Sequence, residues 1–480
     1  MQDAGLLSPV RAGRPIENLV SDDAWIAAMV EAEVALAAAQ TELGIVPTAA
    51  LDDIRTVSRT HAFDTRAIAI ASRGAANPVV VFVEEFTRAV EALDPASANY
   101  VHRGSTSQDI LDTAAMLVAR RAIGLITEDL ARSIHALVAL AEAHRTTPMA
   151  GRTLAMHAVP TTFGAKVAVW IHGLLDAHER LVDVRSRLPA QLGGAAGTLA
   201  SYIEASRLSP RGTSPGADNV DIVYDDLTAK FARHLGLATP IAPWHTTRTP
   251  IADIASALNI TSGALGKIAV DILSMARTEV REVTEPAAAG RGESSAMPQK
   301  RNPAMSTLIR SAAFQVPALT SILFNAMMAE DERPAGAWHS EWQPLRDALL
   351  LVGGAADTAA ELTAGLEPNP DRMLKNLRAT NGQIATERIS AVLALSIGKQ
   401  HTKKLLQSAA FTADKTGQPL AELLKGDPEV ASFLTGPDID DITDPTNYLG
   451  ASPRIADAAT RRARAANPGP SAAPESPVPD

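Results

Sequence analysis

Three short segments carry side chains whose types and spacing could do chemistry. The stretch Gly292-Glu293-Ser294-Ser295-Ala296-Met297-Pro298-Gln299-Lys300-Arg301-Asn302-Pro303 has paired serines, a lysine six residues after the first of them, and no hydrophobic period. Such a loop suits a mobile lid that brings a hydroxyl and a cation to an anion. The stretch from His102 to Asp109 reads as a helix start, with Ser105 and Gln108, or Thr106 and Asp109, at capping-box spacing. Free N–H groups and the helix dipole there, beside the hydroxyls of Thr106 and Ser107, would favour a bound carboxylate. The third stretch, Gly151 to Gly164, contains Arg152 and His157 and reads as a loop leading into a helix.

Long helices must hold these segments. From Thr106 to about Arg145 no proline occurs and only Gly124 interrupts, so the pattern predicts one helix of about 40 residues. Further helices are expected over 160–188, 250–285, 303–328 and 341–362. The first three of these open on a proline, whose missing N–H costs nothing at the first helical position. Ile251, Ile254, Leu258, Thr261, Leu265, Ile268, Ile272 and Met275 alternate spacings of three and four, an average period near 3.5 that implies coiled-coil-like packing. An N-cap at Ser21 followed by Asp22 and Asp23 starts an earlier helix that stops at Gly44.

The expected architecture is all-α: an N-terminal helical domain over 1–100, a central long-helix bundle over 101–364, a small helical domain over 365–465 and a disordered tail over 466–480. The 480 residues exceed one ordinary core, 46% are apolar and only 4% aromatic, and alanine is abundant, a composition that favours close-packed helices. The absence of cysteine excludes disulfides, thiolate metal sites and a cysteine nucleophile. With no metal-spacing cluster and no phosphate-binding glycine loop, no cofactor and no metal are expected. The net charge of −10 disfavours a nucleic-acid partner. The opening segment lacks signal-peptide character and no uninterrupted apolar run reaches membrane-spanning length, so a cytoplasmic protein without a membrane partner is expected.

Ser-Ser-Ala-Met-Pro-Gln-Lys-Arg-Asn-Pro resembles the SSxMPxKxNP motif of the fumarase/aspartase superfamily. The other two segments resemble that superfamily's TSxD and GRTxxxxAxPxTFG regions, in order and spacing, and the resemblance covers about residues 10 to 450. It implies a three-domain helical fold whose long helices assemble into the core of a homotetramer, with each active site built from three subunits. It also implies a reaction on a small carboxylate substrate without cofactor. Ser294 matches the serine that exchanges a proton with the carbon α to a carboxylate, which needs cations and N–H donors to stabilise its alkoxide. Lys300 and Asn302 match positions that supply such stabilisation, and His102, Thr106, Ser107, Arg152 and Ser295 match substrate-contacting segments.

Two departures point to a branch of the superfamily. Members that release fumarate from a succinyl adduct carry a histidine after the threonine of the second segment, paired with a glutamate shortly after KxNP. Here those positions are Leu154 and Thr307. Loss of both halves of an acid pair suits a leaving group that departs unprotonated. With Ala242 to Arg248, Gly193 to Thr198, Gly336 to Trp342 and Asp444 to Gly450, the chain looks like the superfamily's cycloisomerases of 3-carboxy-cis,cis-muconate, which serve protocatechuate breakdown in the β-ketoadipate pathway. A substrate carboxylate there adds to a double bond, giving 4-carboxymuconolactone. On that reading Arg248 is a bidentate clamp for a tricarboxylate. His157, His245 and His339 either bind the substrate or serve as hydrogen-bonded structural residues. An adenylosuccinate lyase-like elimination is the alternative, and a non-enzymatic helical protein is the alternative of another class, against which the retained Ser294 and Lys300 speak. Glu293 stands where many relatives have glycine.

Overall fold

In the computed structural model residues 4–209 and 219–466 are described. The expected tail over 466–480 lies outside them, save that Ala466 ends the last helix. The helices of more than ten residues are α1 (Asp22–Glu42), α2 (Thr48–Thr60), α3 (Thr65–Ala75), α4 (Pro78–Leu93), α5 (Ser107–Ala143), α6 (Phe163–Arg187), α7 (Thr249–Met275), α8 (Ala304–Asn325), α9 (Ala337–Ala364), α10 (Thr386–Ile397), α11 (Lys399–Thr416) and α12 (Ser452–Ala466). Strands are few and short. β1 (Pro148–Thr153) pairs antiparallel with β2 (Met156–Thr162), and β3 (Val283–Thr284) pairs antiparallel with β4 (Glu367–Pro368). The fold class is all-α, as the sequence implies.

The chain divides into two compact units, and the boundaries between them fall inside the five long helices α5 to α9. The first unit comprises 1–128, 177–263 and 311–357 and is entirely helical in its regular elements. There the Ser21 hydroxyl accepts the Ala24 N–H at 3.1 Å and caps α1, as expected. Asn77 caps α4 in the same way at 2.9 Å, with Pro78 as the first helical residue. The second unit comprises 129–176, 264–310 and 358–480 and contains both small sheets, with a separate apolar core around Ile389, Leu393, Leu420 and Leu424 in its C-terminal helices.

The apolar stripe of α7 is buried along its whole length: Ile251, Ile254, Leu258, Thr261, Leu265, Ile268, Ile272 and Met275 are all at most 3% exposed. The single polar member, Thr261, satisfies its hydroxyl on the Ala257 carbonyl at 2.7 Å. Periodicity therefore located this face, but helix ends were read less accurately: α9 starts at Ala337 and not at Glu341, and two other ends differ as follows. Pro160 does not start a helix. It pairs with Ala150 inside β2, where a residue without an N–H is tolerated in a two-stranded sheet, and α6 begins three residues later behind a Thr162 hydroxyl that accepts the Ala165 N–H at 3.1 Å. The expected loop over the second segment is thus a hairpin. The helix expected over 250–285 stops at Met275, because the chain turns back through Arg281 at φ +51° to place Glu282 against Arg152. A tertiary ion pair overrides local helix propensity there.

Among the described residues one helix, α8, is long and apolar enough to cross a membrane by length and composition, with 28% of its apolar window buried. The expectation that no uninterrupted apolar run has such length stands beside this. Arg310, Ser311 and Gln315 interrupt the helix.

Candidate active site

In the first unit the start of α5 is built around one carboxylate. Asp109, fully buried, accepts the Thr106 N–H at 3.2 Å, the Gly194 N–H at 2.9 Å and the Tyr202 hydroxyl at 2.9 Å on one oxygen. His245 Nε2 donates to the other at 2.8 Å. Of the two pairings at capping-box spacing, Thr106 with Asp109 forms one half: the carboxylate takes the Thr106 N–H, while the Asp109 N–H meets the Thr106 carbonyl and not its hydroxyl. Burial and the neighbouring Asp109 push the Tyr202 phenol far above its ordinary value, so it remains a donor. Gly104 is needed in this turn: it has φ +82°, and a Cβ there would lie 2.8 Å from the Tyr202 ring. Thr106 and Ser107 remain partly exposed at the open helix start. His102, also partly exposed, sits in the same turn at φ +56° with its Nδ1 2.6 Å from Glu33 Oε1.

Arg248 is not available as a clamp. All five of its N–H donors are committed within the first unit. Nε and Nη2 reach Glu341 at 3.0 and 2.6 Å, Nη1 and Nη2 reach Asp112 at 2.7 and 3.0 Å, and the second Nη1 proton faces the Trp244 carbonyl at 3.3 Å. The guanidinium also stacks 4.8 Å from the Trp244 ring centroid. Asp112 further accepts the Trp338 indole N–H at 2.9 Å and the Gln108 amide at 3.2 Å. A guanidinium has five donors in a fixed fork, so none remains for a substrate. Arg248 is a buried strut, and the clamp expected from sequence is corrected accordingly.

The histidines divide. His245 is 3% exposed, with Nε2 on Asp109 and Nδ1 without a partner, which places it in the support of the α5 start and away from solvent. His339 lies against the rings of Trp338 and Trp342 at centroid distances of 5.4 and 4.8 Å, half-buried on α9.

The second unit holds the other two segments. Arg152 on β1 makes a bidentate pair with buried Glu282 at 2.9 and 2.7 Å, and the Asn376 amide donates to the same carboxylate at 2.9 Å. Each of its terminal nitrogens thus gives one of its two protons to Glu282. His157 stands opposite Arg152 in the β1–β2 register; burial and the Arg152 charge hold it below the ordinary histidine value, against an opposing pull from Glu282. Leu154 lies at the hairpin tip with φ +50° and 98% exposure. The Thr307 hydroxyl donates to the Pro303 carbonyl at 2.7 Å in the first turn of α8.

The lid loop is closed at its base. Asn302 N–H donates to the Gly292 carbonyl at 2.8 Å, and Glu293 and Arg301 form an antiparallel bridge. The backbone demand for glycine falls on Gly292, with φ +67° and a Cβ position 2.3 Å from the Asn302 carbonyl oxygen. Glu293 sits in the bridge, where any residue fits. Ser294 Oγ accepts the Met297 N–H at 3.3 Å, a donor of the kind an alkoxide requires. Lys300 and Asn302 line a cavity of about 530 Å³ together with the cations Arg281, Arg291 and Arg301 and the carboxylates Glu285 and Glu367. Arg291 is paired with Glu361, and Glu285 caps the backbone of α8 at Met305 and Ser306, while Lys300 makes no ion pair among the described residues. The wall suits an anion. Ser294 and Ser295 are on the same loop but do not line this cavity.

Residues 17–318 match the family described as "Lyase", and residues 382–459 match "Adenylosuccinate lyase C-terminus". The chain belongs to the fumarase/aspartase superfamily. It is 55% identical over 457 residues to a nitrosuccinate lyase of Streptomyces davaonensis, covering 95% of this chain and 94% of the relative. It is 38% identical to a 3-carboxy-cis,cis-muconate cycloisomerase of Pseudomonas aeruginosa, covering 91% of each. Its fold matches the crystal structure of the 3-carboxy-cis,cis-muconate lactonizing enzyme of Pseudomonas putida with a TM-score of 0.87 at 33% identity, over 96% of this chain and 100% of that one. Sequence reasoning missed Glu33, Asp112, Glu282 and Glu341 as partners of the site residues. Only Asp109 carried a signal, as the last residue of the TSxD segment.

Proposed function

We propose that this superfamily enzyme is a β-eliminating lyase that releases nitrite from nitrosuccinate and forms fumarate. The observation that carries the reading is the missing acid: Leu154 points out at a hairpin tip and the Thr307 hydroxyl is tied to a backbone carbonyl. A leaving group must then depart as a stable anion, which nitrite does and an amine does not. The 55% identity to a nitrosuccinate lyase supports this choice over the cycloisomerase expected from sequence.

In the proposed step the Ser294 alkoxide removes a proton from the methylene carbon α to one carboxylate of nitrosuccinate. The C–H electron pair moves into that carboxylate, forming an enediolate held by Lys300 and Asn302. The pair then forms the carbon–carbon double bond as the C–N bond breaks, and nitrite leaves with the C–N electrons. Ser294 passes its proton to solvent. Conversion of 3-carboxy-cis,cis-muconate is the second reading, favoured by the 38% identical relative, because its reverse reaction likewise expels an unprotonated carboxylate.

Incubating the purified protein with nitrosuccinate should release nitrite and fumarate in equal amounts, followed colorimetrically and by ultraviolet absorbance. Loss of diene absorbance from 3-carboxymuconate without nitrite release from nitrosuccinate would replace this reading with the second. Turnover of adenylosuccinate would sink both.

A homotetramer with sites shared between subunits is part of the proposal. Exposed apolar side chains on the long helices support it, among them Phe314 at 69% and Phe324 at 41% on α8 and Val169 at 55% on α6. Light scattering should give four times the chain mass of 50.4 kDa. A fully active monomer would overturn the shared site.

A further inference from the structure

Glu33 lies in the alanine-rich stretch of α1, where a carboxylate only 2% exposed must be partnered to be tolerated. Both its oxygens are used on one residue. Oε1 lies 2.6 Å from His102 Nδ1 and Oε2 accepts the His102 backbone N–H at 3.1 Å. That grip fixes a histidine whose φ of +56° is a left-handed backbone rarely held by a side-chain-bearing residue. Gln40, two turns further along α1, anchors the next residue by donating to the Arg103 carbonyl at 2.9 Å. His102 Nε2 makes no bond among the described residues, and the side chain retains 19% exposure.

Strained, over-determined residues of this kind belong to sites more often than to scaffolds. We propose that Glu33 is a positioning residue of the elimination site, gripping ring and backbone of His102 so that its Nε2–H is presented as a cationic donor to a substrate carboxylate or nitro group beside Thr106 and Ser107. The assignment rests on the elimination reading. It supplies a carboxylate–histidine pair in the first unit, unrelated to the lost pair at 154 and 307. The groups that face the imidazole are Glu33 from α1, Asp109 from α5 and, through Asp109, the Tyr202 hydroxyl from the short helix Ala200–Arg207. Burial pushes the imidazole down, but the charge and hydrogen bond of Glu33, with a further pull from Asp109, outweigh it and hold His102 above the ordinary histidine value. A raised histidine is charged below its folded value and loses the charge as pH rises through it, so kcat/KM should fall on the alkaline side at that point.

The test uses the full-length enzyme and its Glu33→Gln and Glu33→Asp variants. Ring-labelled histidine NMR, with His102→Gln for assignment, reads the imidazole directly, and the pH profile of kcat/KM reads its consequence. In Glu33→Gln the His102 midpoint and the alkaline limb should both move down by about one pH unit or more. KM should rise roughly tenfold, with a smaller change in kcat. Glu33→Asp should restore part of both shifts. An unmoved midpoint overturns the proposal, as does activity lost equally at every pH alongside a lower melting temperature, which would mark Glu33 as structural only. If the wild type acts on 3-carboxymuconate instead, the profile is read with that substrate. The histidine titration requires no substrate, so failure of the nitrosuccinate reading and failure of this assignment remain separable.

Discussion

Replacing Ser294 with alanine should lower kcat for nitrite release by at least about two orders of magnitude, the usual contribution of a positioned base. KM should change little, because the carboxylate contacts proposed for Lys300 and Asn302 do not involve the Ser294 hydroxyl. The geometry explains why this hydroxyl is favoured over its neighbour: Ser294 Oγ already accepts the Met297 N–H, whereas no such donor faces Ser295 among the described residues. The loop is anchored at its base through Gly292 and Asn302, so the alanine variant should keep the fold. Incorporation of solvent deuterium into the methylene of recovered nitrosuccinate gives an independent readout of proton removal. Near wild-type kcat with normal exchange in the variant would pass the role to Ser295 or His157.

The second large effect is on stability. Arg248→Ala would leave Asp112 and Glu341 facing each other without their shared cation, both at most 2% exposed. Burial, with a further push from Asp112, already lifts the Glu341 carboxyl above its ordinary value despite the guanidinium. Removing one partner of a buried ion network costs about 3–5 kcal/mol. The melting temperature should therefore drop sharply, and activity should be lost with the fold. Arg248→Lys should recover only part of the loss, since an ammonium cannot fork to two carboxylates. An Arg248→Ala enzyme with wild-type melting and only a raised KM would instead restore the clamp expected from sequence.

The contrast between these two residues marks how far the sequence could be read. The fold class, the long helix over 107–143 and the buried stripe of α7 all follow from local rules: proline and glycine placement, capping side chains and a period near 3.5. The three chemical segments were also visible, because motif order along a chain is a property of the chain alone. That leucine stands at 154 and threonine at 307 could be read in the same way. Helix ends were less legible. Pro160 looks like a helix start until its pairing with Ala150 is seen, and nothing near Met275 announces a stop.

What only the tertiary structure decided is which charges meet. Arg248 lies 136 positions from Asp112 and 93 from Glu341, and His102 lies 69 from Glu33. An exposed arginine and a buried, fully committed one have the same letter in the sequence. Whether a guanidinium is free to bind a substrate depends on which carboxylates packing brings into the same low-dielectric space, and on whether its five donors are already used there. The same physics made Glu33, one acidic residue in an alanine-rich helix, the partner of a strained histidine. Local propensity sets the helices, but only their packing sets the electrostatics, because a buried charge must be satisfied by whatever the fold places beside it.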